Sequence, residues 1–208
     1  MFDDEFKAAI QHLSSDEKDK LIFRLLKKDL PLAKRLYYEL IETDTVEQKR
    51  DKLFIHITDS IKKANSSFYS LGYLLMDIRS ISGEINEHLR LTKDKYGEIS
   101  LNIHMLTELL TICSDHLKNN KPNKCYTINI YVIARAFKIL LLIKALNEDY
   151  LIEFKKTLNE LGHIIGASEQ LMRVAINNGL DINWLLSAEI PEDIVALHKE
   201  LRLNGFLK

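Results

Sequence analysis

The chain has 208 residues, of which 46% are apolar and 28% charged, with a formal net charge of −1. That composition excludes a disordered chain, is long enough for one substantial core or two small ones, and supplies no global field to draw in nucleic acid or an anionic membrane. Only seven glycines and three prolines occur, which leaves little turn chemistry for an all-β fold and favours long helices. Cys113 and Cys125 have no companion cysteine pair. They read as free thiols of a reducing compartment and not as a disulfide framework or zinc knuckle. The start, Met1-Phe-Asp-Asp-Glu5, has neither the basic nor the apolar region of a secretory signal, so a cytoplasmic location is expected.

In chain order, residues 3–12 predict a short helix carrying Phe6 and Ile10. Ser14-Ser-Asp-Glu17 has the spacing of a capping box and opens a helix to about Lys28 with Leu21, Ile22, Leu25 and Leu26 on one face. Pro31 suits a first helical position, and a further helix is expected from there to about Glu42. The two helices would form an antiparallel hairpin joined by two or three residues. Asp44-Thr-Val-Glu47 signals another cap, before a helix over about 46–64 with Leu53, Phe54, Ile57 and Ile61 inward. Residues 67–90 predict a helix whose Leu71, Leu74, Leu75, Ile78, Ile81, Ile85 and Leu89 share one face. A helix over about 99–118 follows the polar turn Thr92–Gly97, and Lys118–Lys124 reads as a loop with Cys125 beside Lys124 as its exposed thiol.

Ile128–Leu146 is the most apolar stretch. Its length raises the question of a membrane span, but Arg135 and Lys138 fall near mid-span, where each costs roughly 2.5–3.5 kcal/mol. The reading is a buried helix with one polar stripe at Tyr131, Arg135 and Lys138, wrapped by its neighbours. Shorter segments end the chain at 150–161, 168–177, 182–187 and 191–203. No fixed-period repeat is present.

The expectation is therefore an all-α fold, an irregular antiparallel array of some eight to eleven helices around a central apolar helix near 127–146. It is one domain over 1–208, divisible into an N-terminal hairpin at 1–44, a long-helix bundle at 45–150 and short helices at 151–208.

The sequence holds no Walker loop, G-x-G-x-x-G, G-x-S-x-G or H-E-x-x-H. Asp77, Glu84 and His88 flank the buried face of their helix and point toward a groove. His104 and Glu108 fall toward solvent, so the two sets do not converge as a metal site. Glu160-Leu-Gly-His163 is the single Glu-x-x-His pair, where a diiron bundle needs two. The basic residues Lys18, Lys20, Arg24, Lys27, Lys28, Lys34 and Arg35 are interleaved with acids and read as a solvated helix surface. Asp77, Glu84, His88, Tyr131, Arg135 and Lys138 form the candidate groove; neither a cofactor nor a metal is assigned.

Leu158–Ser187 resembles a helix-turn-helix of the phage-repressor type, with Gly162 at the small-residue position, Gly166 at the turn, and Leu161, Ile165, Met172 and Ala175 at apolar positions. In a second alignment, LMRVAINNGLDINWLL is similar to the last two helices of those repressor domains. The first alignment implies a DNA-reading helix at Ser168–Asn177. Residues 151–208 hold six Lys/Arg against eight Asp/Glu, a poor supply of phosphate contacts; the alternative is two short helices anchored by Trp184.

The functional expectation is a helical interaction or scaffold protein that binds a protein partner or itself, with Phe206-Leu207 exposed for docking. A DNA-binding regulator and a metal-dependent helical enzyme are the alternatives.

Overall fold

The computed structural model describes residues 3–146 and 150–208, and helix is the only regular structure among them. Met1 and Phe2, part of the stretch examined for a leader, lie outside these residues, as do positions 147–149 beside the expected division at 150. Contacts divide the chain into two units, 1–44 and 45–208.

The first unit holds α1 (Asp4–His12), α2 (Ser15–Lys28) and α3 (Leu30–Leu40). Each is locally specified. Asp3 accepts from the Phe6 amide at 2.7 Å, and Ser14 and Glu17 exchange both bonds of a capping box. Asp29 is the entire link between α2 and α3, shorter than expected; its carboxylate accepts from the Leu32 amide at 3.0 Å, with Pro31 in the first turn. α2 and α3 touch, yet none of the three helices has a buried residue.

The second unit contains α4 (Val46–Ser66), α5 (Leu71–Thr92), α6 (Lys95–Ile112), α7 (Ser114–Asn119), α8 (Pro122–Lys144), α9 (Leu151–Gly166), α10 (Glu169–Asn177), α11 (Asn183–Leu186) and α12 (Ile194–Leu203). The capping box of α4 is formed by Thr45 and Gln48, one residue beyond the expected Asp44–Glu47. α4, α5 and α6 pack on one another as consecutive helices that fold back, α8 and α9 pack on α6, and α10, α11 and α12 close the far end against α8 and α9. α5 buries Leu71, Leu74, Leu75, Ile78, Ile81 and Ile85 as expected, but Leu89 is only half-buried and His88, expected to flank the face, is buried instead.

α8 is the apolar helix the sequence picks out. By length and composition it could cross a membrane, but its residues Ile128 to Ile143 pack into the core of this unit. The helix with neighbours on most sides is α6, which meets α4, α5, α8 and α9 and buries ten of its eighteen residues against eleven of twenty-three for α8. α6 thus shares the centre with α8.

Two local expectations fail for identifiable reasons. The 99–118 helix is interrupted at Cys113, whose ψ of 14° ends α6 before α7 begins. The loop expected over Lys118–Lys124 shrinks to Asn120 and Lys121, because Pro122 takes the first position of α8. Cys125 is therefore a fully buried helical residue, not an exposed loop thiol.

Glycine matters at two close approaches. A Cβ on Gly97 would lie 2.1 Å from Asp94 Oδ2, and one on Gly162 would lie 3.0 Å from Leu186 Cδ2. Lys93 caps α5 in the left-handed conformation with φ 61°, its amide bonded to Leu89 O at 2.8 Å.

Candidate functional site

The six residues of the expected groove fall into three places. The first is a seam between α5, α6 and α8. Tyr131, Arg135 and Lys138 do form one stripe on α8, and it meets polar groups on the facing helices. The Tyr131 hydroxyl donates to Ser82 Oγ at 2.9 Å and accepts from Arg135 Nη2 at 3.1 Å. Arg135 Nη1 donates to Asn102 Oδ1 at 3.4 Å, and Asn102 Nδ2 donates to its own helix at Glu98 O, 2.6 Å away. Lys138 Nζ reaches Glu98 Oε1 at 2.8 Å. Ser82, Glu98 and Asn102 are buried while Tyr131, Arg135 and Lys138 are half-buried, so the seam is a connected polar network at the edge of the apolar core that links the three helices. Its formal charges are two positive and one negative. Arg135 lies 5.2 Å from the Tyr131 ring centroid, and its two described hydrogen bonds go to neutral oxygens. A cleft of about 160 Å³ reaches Glu98 from the side of Leu89, Lys95, Leu142 and Leu146.

His88 belongs to a second cluster, at the joint between α5 and α6. Its Nε2–H donates to Asp94 Oδ2 at 3.2 Å, and Arg50 Nη1 lies 3.2 Å from the same oxygen. Asp94 Oδ1 accepts from the Gly97 amide at 2.7 Å, so one carboxylate caps α6 and binds both Arg50 and His88. Arg50 also sits 4.8 Å from the centroid of Tyr96, whose hydroxyl is pushed up by burial and by neighbouring Glu153. This clasp ties α4, α5 and α6 together. With Asp94 and His88 almost wholly enclosed, its groups are spent on one another.

Asp77 and Glu84 occupy the third place, a groove of about 230 Å³ between α4 and α5 that also presents Ser60, Lys63, Ser67 and Ser80. Glu84 Oε2 pairs with His56 Nε2 at 2.9 Å. The arrangement can hydrogen-bond a small polar group, but it brings neither His88 nor the α8 stripe to Asp77.

His104 is not turned to solvent as expected. It is half-buried against α4: its ring lies 4.7 Å from Phe54, and Nε2 is 3.2 Å from Phe54 O and 2.9 Å from Thr58 Oγ1. Burial holds its pKa below the ordinary histidine value. Glu160 and His163 are both exposed on α9. Among the described residues no group of three or more His, Cys, Asp or Glu side chains is placed to hold a metal. Burial pushes the Cys113 thiol up to about 11, and that of Cys125 up as well; Cys125 Sγ donates to Leu117 O at 3.3 Å.

In the segment resembling a helix-turn-helix, α10 buries Leu171, Val174 and Ala175 against α8 and α9. Its outer side carries Glu169 and Arg173 paired at 2.7 Å, with Ile176 and Asn177 beside them. Gly162 is small for α11 and not for α10. Trp184 is half-buried, edge-on to Phe137 at 5.9 Å, and Leu185 is the fully buried anchor of that turn. Leu207 is likewise no free docking residue: it is buried, its amide donates to Asn178 Oδ1 at 2.8 Å and its carbonyl accepts from Arg202.

Sequence reasoning missed Arg50, Asp94, Tyr96, Ser82, Glu98 and Asn102. Only Asp94 had a local signal, as the capping residue of a polar turn. No protein-family model, curated protein or solved structure matches this chain.

Proposed function

We propose that this chain is a helical interaction protein: residues 45–208 are a self-sufficient body, and α1–α3 carry the face that engages a partner. One observation supports this reading above the others. Phe23, Leu25, Leu30, Tyr37 and Leu40, and Ile41 at the C-cap of α3, are each more than half exposed, and neither α2 nor α3 has a buried residue. Scattered exposed leucines are ordinary, but six such side chains within twenty residues, on a segment without a core, favour an interaction surface. The helices are also capped at every N-terminus, which preserves the face as a face. The body behaves in the opposite way: none of its described buried side-chain nitrogen or oxygen atoms lacks a hydrogen-bond partner.

The test is the pair of substitutions Phe23→Ser and Leu40→Ser in the full chain. On this reading they change the unfolding free energy of the dilute protein by less than about 0.5 kcal/mol, as surface changes do, and abolish association. A loss of about 3 kcal/mol or more, typical of a core site, would mean that the chain covers this face itself.

A further inference from the structure

We infer that the partner of the N-terminal face is a second copy of the same unit, with α2 packed antiparallel against its symmetry mate. This rests on the reading of α1–α3 as the docking face and names its occupant.

The first argument is area. Ten large apolar side chains of residues 3–44 are between 37% and 77% exposed. At roughly 200 Å² for each of the three whole aromatic side chains and about half that for each aliphatic one, they offer on the order of 800 Å², comparable with the ~800 Å² that each partner contributes to a stable interface.

The second is charge, which is self-complementary when the α2–α3 joint of one copy lies against the far ends of the other. Residues 24–35, around the α2–α3 joint, contain five basic side chains and one acidic; residues 15–20 and 39–44, at the two far ends, contain six acidic and two basic. A parallel pairing of either helix with its own copy sets like charge on like. An antiparallel pairing sets each basic end on an acidic one, and a two-fold axis makes every such contact twice. The polarity of α2 alone follows from its macrodipole, which favours acids first and bases last. That of α3 does not: Lys34 and Arg35 precede Glu39, which sits in the last turn. Acid at a helix C-terminus is unfavourable for the dipole, and here Glu39 is held by its 2.8 Å ion pair with Arg35 one turn back.

The third is register. Asp16 and Lys27 are eleven residues apart, about three turns, so they flank the exposed Ile22, Phe23 and Leu25 on the same side. They are also equidistant from the midpoint between Leu21 and Ile22. Two-fold antiparallel packing brings same-flank residues at equal distances from the midpoint together, so Asp16 of each copy meets Lys27 of the other. A lipid surface would favour a uniformly basic rim around the apolar face, which this unit lacks.

Sedimentation equilibrium of the full chain tests the inference. The wild-type protein is expected at twice its 24.1 kDa chain mass. Asp16→Lys and Lys27→Asp each place like charges in both contacts, so each variant alone sediments at one chain mass or dissociates at least tenfold more readily, with unchanged helix content by circular dichroism. Mixing the two variants restores a heterodimer, because every contact is again Lys against Asp. A monomeric wild type at all concentrations, or a dimer that both single variants retain, overturns the inference. If the wild type is monomeric while Phe23→Ser with Leu40→Ser leaves stability unchanged, the face belongs to a different protein; if that double variant is strongly destabilised, the docking reading fails as well.

Discussion

Lys138 on α8 and Glu98 on α6 form a 2.8 Å ion pair across forty residues of sequence, with the carboxylate side chain only 7% exposed and the lysine side chain 37% exposed. The lysine runs its stem along the core and keeps its head near solvent, and in doing so it neutralises a carboxylate that could not otherwise be buried. The pair is the reason α6 can place Glu98 inside the core.

Replacing one partner should therefore cost more than replacing both. Lys138→Met leaves Glu98 unpaired, with an expected loss of about 2–3 kcal/mol after allowing for the exposure of the lysine. Lys138→Met with Glu98→Gln should recover at least half of it. Urea unfolding of the two variants measures the difference; equal losses would show that the pair carries no coupling.

The Asp94 clasp makes a sharper demand on its neighbour. A methyl group on Gly97 would stand 2.1 Å from Asp94 Oδ2 and 2.6 Å from Asp94 Cγ. Gly97→Ala must displace the carboxylate from the α6 amide, from Arg50 and from His88 together. The expected loss is about 2–4 kcal/mol, although alanine is the better helix former by about 1 kcal/mol. A stabilised Gly97→Ala protein in a denaturant titration would show that the clasp is not held in this geometry.

Stability should also fall on mild acidification. His104 has its pKa lowered from 6.5 chiefly by burial, and His198 is lowered in the same sense by burial and by nearby Arg202. A histidine depressed in the folded state is protonated first in the unfolded chain. Its contribution is fully present above about pH 6.5 and is lost as pH falls through the lowered folded value. The melting temperature should drop between pH 7 and pH 5, and His104→Gln should reduce that slope. An unchanged slope in the variant would exclude His104 as a source.

Much of the fold was legible because it depends on apolar spacing. The α5 face and the apolar run of α8 follow from side-chain periodicity, and the caps at Ser14 and in the α4 boundary follow from short-range chemistry. The depth of α6 was hidden because Glu98 and Asn102 are polar, and they are buried only through partners on α8. The clasp was hidden because Arg50 and Asp94 are forty-four positions apart. The Cys125 error came from reading Pro122 as part of a loop when it is a helix start. Of the candidate groove, the α8 stripe was visible as a stripe; its separation from Asp77, Glu84 and His88 depends on helix rotations that no local pattern encodes.

Within α8, adjacent leucines separate core from boundary. Leu140 is fully buried and Leu141 only partly. Leu140→Asp places an unpaired carboxylate in the core and should abolish cooperative folding, while Leu141→Asp should leave a folded but weakened protein. Circular dichroism melts decide it, and a folded Leu140→Asp protein would mean that the core is misplaced.

The most direct test of the account is amide hydrogen exchange, helix by helix, in the full chain at high dilution. Helices without tertiary burial open locally at little cost, whereas core helices exchange through global unfolding. The expectation is rapid exchange throughout α1–α3, slow exchange in α6 and α8, and protection of α1–α3 that appears as protein concentration rises. Protection of α1–α3 at high dilution equal to that of α6 would contradict the claim that their apolar face waits for a partner.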